Sequence, residues 1–563
     1  GSYNTAMGAD ALRFNTTASN NTAVGYQAGY ANTTGSSLTA IGTNALFANT
    51  TGIQNTAVGL NALIANTSGP NNTAIGVAAL SSNTTGQANI ASGLGASQFN
   101  TTGSYNTAYG PEALNKNTTA SNNTAVGYQA GYDNTTGDSI TAVGMYALTN
   151  NTTANYNNAF GRNALYYNTT GTELSAVGYQ TLQENTTGSY NTAIGNHALQ
   201  SNNTASNNTA VGYQAGYTNS TGANNVAYGY QALYSNTTAN YNAAFGFSAL
   251  YTNSTGTQNS ASGNWALYLN TTGSANTAHG YEALRGNTTA SNNTAVGYQA
   301  GYSNTTGTGT IAFGYQAGYT NNANNGTFVG TVSGNSSTGV NNTFVGYGSG
   351  YTMTSGAKNT IIGGYNGNQG GLDIRTASNY IVLSDGDGNP RGIFDASGNF
   401  MVGTTTAGGV GFTLSDNVGL CLIRQHTGTT SLNTMTQFLN PNGAVGTIQT
   451  SGSSTSYNTS SDYRLKNTIE PMTGALDKVA LLKPCTYKWN VDGSDGQGFI
   501  AHELDEVVKG CVSGEKDAVD EDGNPKYQGI DTSFLVATLT AAIQEQQAII
   551  ESLTTRITAL EGN

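Results

Sequence analysis

Over residues 1–314 the pattern of small, large, apolar and polar side chains repeats every 17 residues without slippage. Glycine marks the register at Gly8, Gly25, Gly42 and onward to Gly297 and Gly314, which makes 19 coils. Two residues before each glycine stands Ala in all 19, from Ala6 to Ala312, and seven residues after it stands Asn in all 19, from Asn15 to Asn321. Three residues after it stands Ala in 18, with Thr181 the exception. This period lies outside the helical repeat families and predicts a β-solenoid whose coil holds two short strands and two turns. In Asn21-Thr22-Ala23-Val24-Gly25 the small Ala and the larger Val alternate, so they face opposite sides of a strand. A position that never exceeds Ala belongs where two backbones approach closely, inside a narrow roll or on an axis between chains. The Asn-Thr-Thr-Gly segment, as at Asn49 to Gly52, reads as a turn in which Asn tolerates the left-handed conformation and Gly supplies a positive φ. Stacked turns would align the Asn side chains in a hydrogen-bonded ladder. With ~4.8 Å per coil, the span from Gly8 to Gly314 predicts a rod roughly 85 Å long.

A second level of repetition is the 16-residue segment ending Ala-Val-Gly-Tyr-Gln-Ala-Gly-Tyr, which begins at Asn15, Asn117 and Asn287, with a near copy at Asn202. The spacings of 102, 85 and 85 residues are multiples of 17, as block duplication of whole coils would leave. Beyond Gly314 the equivalent glycines are Gly330, Gly346 and Gly363, separated by 16, 16 and 17 residues, so 315–371 reads as a tapering end. Residues 372–460 follow as short strands divided by turn clusters, with 450–460 a Gly, Ser and Thr linker. The cluster from Asp385 to Asn389 begins like a calcium loop, but Ala396 stands where a bidentate Glu is needed, which favours an ordinary turn.

From Ser461 the period becomes helical. Leu539, Ile543, Gln546, Ile550, Leu553, Ile557 and Leu560 are spaced alternately by four and three residues, a coiled-coil seam on a helix expected over 534–561, with Asp531 or Ser533 to cap its start. Ile at one core position and Leu at the other lean towards dimers and Gln546 sets register, so the seam alone leaves the number of chains open.

Composition narrows the function. Only 8% of the 563 residues are charged and 75 are Gly, against about 25% charged in ordinary domains. With 8 basic against 12 acidic residues before position 460 and 9 against 17 after it, neither part has the basic surplus that phosphate binding requires, so no nucleic acid is expected. No window approaches the ~18 apolar residues of a membrane span, so no membrane insertion is expected. Gly1 enters in mid-repeat, which implies that the native N-terminus lies upstream. Cys421, Cys485 and Cys511 lack metal-ligand spacing and are odd in number, so buried or free thiols are expected. The array holds no convergent acidic pair, metal cluster or phosphate loop, and its only histidines are His197 and His279; no metal, no cofactor and no external substrate are expected.

Five segments in order, Ser461-Asp-Tyr-Arg-Leu-Lys466-Asn-Thr-Ile469, Ala475-Leu-Asp-Lys-Val479, Tyr487-Lys-Trp489, Gly498-Phe-Ile-Ala-His-Glu503 and Ala541-Ala-Ile-Gln-Glu-Gln546, resemble the endosialidase-type intramolecular chaperone domain of phage tail fibres and tailspikes. The resemblance covers 461–563; the array 1–363 more loosely resembles trimeric adhesin head repeats and fibre shafts. The resemblance implies an all-β homotrimeric fibre whose α+β chaperone domain aligns three chains and then releases itself. A trimeric clamp of this kind answers a physical need, because three alike arrays can slip by whole coils. The implied cleavage falls between Ser460 and Ser461, with Ser461 as nucleophile, Lys466 as the base and His502 in support. A lysine acts so only when burial lowers its pKa towards neutrality.

The expected role is therefore the distal part of a virion tail fibre, made in the host cytoplasm and acting outside the cell as spacer and host-attachment element. Its partners would be a host surface receptor, glycan or protein, and a proximal fibre or tail component reached through the upstream chain. Receptor contact is expected in 372–460, where irregular loops can specialise. Tyr26, Tyr128, Tyr213 and Tyr298, after the anchor glycines, read as a packing ladder before they read as sugar platforms. The alternatives are a bacterial trimeric adhesin, which should end in a membrane barrel and not in a soluble helix, and an ice-binding solenoid built on Thr ladders.

Overall fold

The computed structural model describes residues 1–406, 412–414, 433–440, 443–451, 453–520 and 523–562. Cys421 and part of the expected receptor-binding stretch, most of it at 407–411 and 415–432, lie outside these residues. The chain divides into two units, Gly1–Thr429 and Thr430–Asn563.

In the first unit, 22 three-residue strands from Thr5–Met7 to Thr360–Ile362 stack in parallel, each pairing with the strand of the next coil. The register places Ala on Ala, as in Ala6 to Ala23 and Ala23 to Ala40. Ala23, Ala40 and their equivalents up to Ala312 are buried in a single chain, Ala6 in the first coil being exposed, so the small position faces the interior of a β-solenoid. Leu46, Leu63 and Leu80, four residues after the glycines, fill the core opposite them.

Each coil has one strand, where two were expected. The opposite wall is a run of turns in which Asn44 and Leu46, two and four residues after Gly42, have φ of 58° and 53°. Every second N–H of this wall reaches the next coil, Leu46 N donating to Ala62 O at 3.0 Å and Ala48 N to Ile64 O at 2.9 Å, while Ala45 N and Phe47 N close turns within the coil on Gly42 O and Asn44 O at 3.3 Å. These bonds between coils satisfy the buried backbone without a second strand.

The anchor glycines are required by close approach. A Cβ on Gly144, where φ is 132°, would stand 2.7 Å from the carbonyl carbon and oxygen of Gly161 in the next coil. The Asn-Thr-Thr-Gly turn departs from expectation, since neither Asn49 nor Gly52 has a positive φ. Gly52 is instead demanded by space, because a Cβ there would meet Asn49 Oδ1 and Gly69 O. The Asn ladder does form: Asn66 Nδ2 donates to Asn49 Oδ1 at 2.8 Å and to Gly69 O at 3.0 Å, and Asn83 Nδ2 donates to Asn66 Oδ1 at 2.9 Å. A second ladder was not foreseen. In it Asn72 N donates to Asn55 Oδ1 at 2.8 Å and Asn89 N to Asn72 Oδ1 at 3.0 Å. Tyrosines stack along the outside, with Tyr281, Tyr298 and Tyr315 5.2–5.3 Å apart and nearly parallel.

The taper exchanges core volumes. The buried Ala column becomes Phe328, Phe344, Ile361 and Val382, and glycine takes the place of the facing Leu at Gly334 and Gly350, against the Phe rings. The strand Ile381–Ser384 still pairs in parallel with Thr360–Ile362, after which the sheet turns antiparallel through Pro390–Phe394, Phe400–Val402 and Phe412–Leu414. The Asp385 cluster is a hairpin turn: Asp385 takes the N–H of Asn389 on its carboxylate at 2.8 Å and pairs with Arg391.

In the second unit, Asn433–Asn440, Gly443–Ser451 and Ser454–Thr459 form an antiparallel three-stranded sheet. The stretch expected to be a linker is therefore strand, because Thr and Tyr457 suit a pleated surface better than their Ser neighbours suggest. Helices α1 (Ala475–Leu481), α2 (Ala501–Val507) and α3 (Ser533–Glu561) follow, with two short hairpins between them. The N-cap of α3 is Thr532, in place of the expected Asp531 or Ser533; Asp531, just before it, accepts from Ser533 N at 2.9 Å, and the hydrogen bonds from the Ser533 side chain and backbone hold its carboxyl below the ordinary range. Leu535 packs with Leu504 and Cys511, and Ala541 and Ala542 pack on Ala475. Cys485 and Cys511 are free, and burial pushes the Cys511 thiol up.

Candidate self-processing site

Ser461 and Lys466 bracket a single 3₁₀ turn, Tyr463–Leu465. The turn forms because Asp462 is an N-cap: its carboxylate accepts from Arg464 N at 2.8 Å, and from Arg464 Nε and a terminal guanidinium nitrogen at 3.0 and 2.7 Å. Those bonds hold the Asp462 carboxyl below its usual range. Lys466 N then donates to Tyr463 O at 3.1 Å and closes the turn. The chain has doubled back by one turn, which brings Lys466 Nζ to 2.7 Å from Ser461 Oγ. The amine and hydroxyl are thus in proton-transfer range. An open groove of about 650 Å³ runs beside Lys466 along 464–470.

Both side chains are exposed in the single chain, so these residues alone do not build the dry surroundings a lysine base requires. His502 lies on α2 and lines a separate hollow of about 410 Å³ with Lys516, Asp517, Pro525 and Tyr527, not with Ser461 or Lys466. The Asp462–Arg464 clamp, which sets the turn, was missed from sequence; an Asp heading a short turn is its only signal.

Residues 461–513 match the family model described as chaperone of endosialidase. The matched segment opens at Ser461, and the chain is a β-solenoid with this chaperone domain at its C-terminal end. No curated protein and no solved structure matches the chain. Among the described residues, no helix is long and apolar enough to cross a membrane.

Proposed function

We propose that the protein is the distal part of a homotrimeric viral tail fibre, a spacer and host-attachment element folded by its C-terminal chaperone, which cuts itself free before Ser461. The observation that carries this reading is the Lys466 amine on the Ser461 hydroxyl, at the first residue of the matched chaperone segment. In the cleavage, Ser461 Oγ gives its proton to Lys466 Nζ and attacks the Ser460 carbonyl carbon. The C–N bond breaks, the Ser461 nitrogen leaves as an amine, and water hydrolyses the resulting ester to a carboxylate and the regenerated hydroxyl.

Two unpartnered apolar faces support the homotrimer. On α3 the seam residues Leu539, Ile543, Ile550, Leu553, Ile557 and Leu560 are all exposed, while the packing within the chain uses Leu535, Thr538, Ala541 and Ala542. Along the solenoid the residue before each anchor glycine points outward and is apolar or aromatic in 16 of 19 coils, Ser92, Ser262 and His279 being the others. Ile41, Ile75, Phe160, Ile194 and Phe313 of this stripe are exposed. Copies of the chain carry the same stripe at the same spacing and can cover it.

Intact mass under denaturing conditions, for the chain beside Ser461→Ala, tests the processing. Scission at Ser460/Ser461 in wild type alone supports it. Two whole chains would make the domain a retained trimerisation cap. Light scattering of the native protein should give three copies.

A further inference from the structure

The array is not a uniform spacer. The position six residues after the anchor glycine is Ala, Ser, Thr or Gly in 11 of 19 coils, but six consecutive coils carry Phe99, Lys116, Asp133, Asn150, Tyr167 and Glu184. Most of this run lies between the duplicated blocks that begin at Asn117 and Asn202. It opens a groove of about 610 Å³, within the range of small-ligand clefts, lined by Asp133, Asn150, Tyr166, Tyr167 and Glu184 and floored by a row of Thr residues.

The aromatic rings here differ from those elsewhere. Tyr217, Tyr234, Tyr251 and Tyr268 stack on one another at 5.0–5.2 Å and cover each other's faces. Tyr166 has Thr149 and Gln183 as its column neighbours, and Tyr167 has Asn150 and Glu184, so neither continues a stack. They meet each other edge to face at 4.6 Å, and Tyr167 is 49% exposed. Polar groups border the rings. Asn150 Nδ2 donates to Tyr166 O at 2.8 Å, and Asp133 is held by Lys116 Nζ at 2.6 Å. Glu184 makes no ion pair among the described residues.

We propose that this groove binds a saccharide, neutral or amino-bearing, with one ring face on Tyr167 and its hydroxyl or ammonium groups on Glu184, Asn150 and Asp133. An uncovered aromatic face takes the C–H face of a pyranose, and the carboxylates and amide accept from its hydroxyls. Lys116 offsets Asp133, so Glu184 leaves the groove net negative and turns away sialosides and other anionic sugars. The proposal deepens the attachment reading, on which its biological meaning rests, by placing a contact in the array.

The test titrates the full-length protein with methyl glycosides of glucose, galactose, mannose, N-acetylglucosamine and glucosamine, and with a sialoside, read by saturation-transfer NMR. At least one neutral or amino glycoside should bind and lose at least tenfold in affinity in Tyr167→Ser and in Glu184→Gln, with Tyr234→Ser unchanged. Ser occupies the Tyr167 position in other coils, so that variant keeps the fold. No binding by any probe, equal binding by Tyr167→Ser, or preference for the sialoside overturns the proposal. Adsorption of labelled protein to a panel of bacterial cells separates the two readings. Adsorption that Tyr167→Ser leaves intact overturns the groove and keeps attachment, whereas glycoside binding without adsorption to any cell keeps the groove and overturns attachment.

Discussion

Glu545 of α3 caps Leu476 of α1: its carboxylate accepts Leu476 N at 2.8 Å and Ala475 N at 3.0 Å. The two residues are 69 apart in sequence, and this bond ties the short helix to the long one where Ala541 and Ala542 meet Ala475. Gly474, at φ 70°, has no side chain to cap α1, so the partner helix supplies the acceptor.

This cap makes the domain acid-sensitive. The N–H groups of Leu476 and Ala475 hold the Glu545 carboxyl below its ordinary value of 4.5. The contribution is therefore complete above that value and is lost as pH falls through the lower, folded-state one. Glu545→Gln should lower the melting temperature of the full chain at neutral pH. The gap to wild type should close on acidification, as read by circular dichroism between neutral pH and the acid limb.

Within the asparagine ladder, Asn66→Ala removes a buried donor to both Asn49 and Gly69 and should cost about 1–3 kcal/mol for each partner left unpaired. Asn66→Asp should cost more, because an acceptor would face the Asn49 and Gly69 oxygens. Denaturant midpoints of the two variants rank them.

Two glycines separate crowding from conformation. Gly144→Ala should cost more than about 3 kcal/mol, since both its φ and the Gly161 backbone oppose a side chain. Gly348, at φ 62°, has nothing within 4 Å of an added Cβ. Asn44 and Asn61 hold the corresponding position in other coils at similar φ, so Gly348→Asn should cost no more than about 1–2 kcal/mol. Thermal unfolding of both variants checks the contrast.

Lys466→Arg should stop scission without disturbing assembly, because a guanidinium keeps its proton at all working pH values. Mass spectrometry should find the chain whole and light scattering should find its copy number unchanged.

Ile550→Asp places a charge in the exposed seam of α3 and should reduce the full chain to monomers or aggregates, whereas Thr555→Asp, off the seam, should not. Light scattering at matched concentration distinguishes them.

Much of the array was legible from the sequence because its period is unbroken: Gly8 to Gly314 set the register and the Asn column points to a ladder, which runs from Asn15 to Asn304, whereas the all-Ala position fits a coil interior and an axis between chains equally well until the structure shows it inside. The second wall was not legible. Leucine is a poor left-handed residue, yet Leu46 and its equivalents adopt φ near 50° because hydrogen bonds between coils, such as Leu46 N to Ala62 O, outweigh the local preference. Likewise 450–460 reads as flexible by composition, and pairing across Thr447–Asn458 and Ile448–Tyr457 makes it strand. At the candidate site, five segments in order pointed to Ser461 and Lys466. The turn that joins them depends on Asp462 and Arg464, whose roles no spacing announces. His502 shares their motif context but lines a different hollow.

From Asn15 to Asn304 successive coils offer their neighbours the same asparagine donor and acceptor at the same height, so a rung can be removed or added there without leaving an unmatched partner. At the level of the gene, the near-identical segments beginning at Asn15, Asn117, Asn202 and Asn287 are natural sites of unequal crossing-over. Such exchange changes the number of coils by whole units and leaves the ladder continuous. The length of the array then changes in steps of ~4.8 Å per coil, whereas a single-residue insertion would shift both asparagine columns out of register at once.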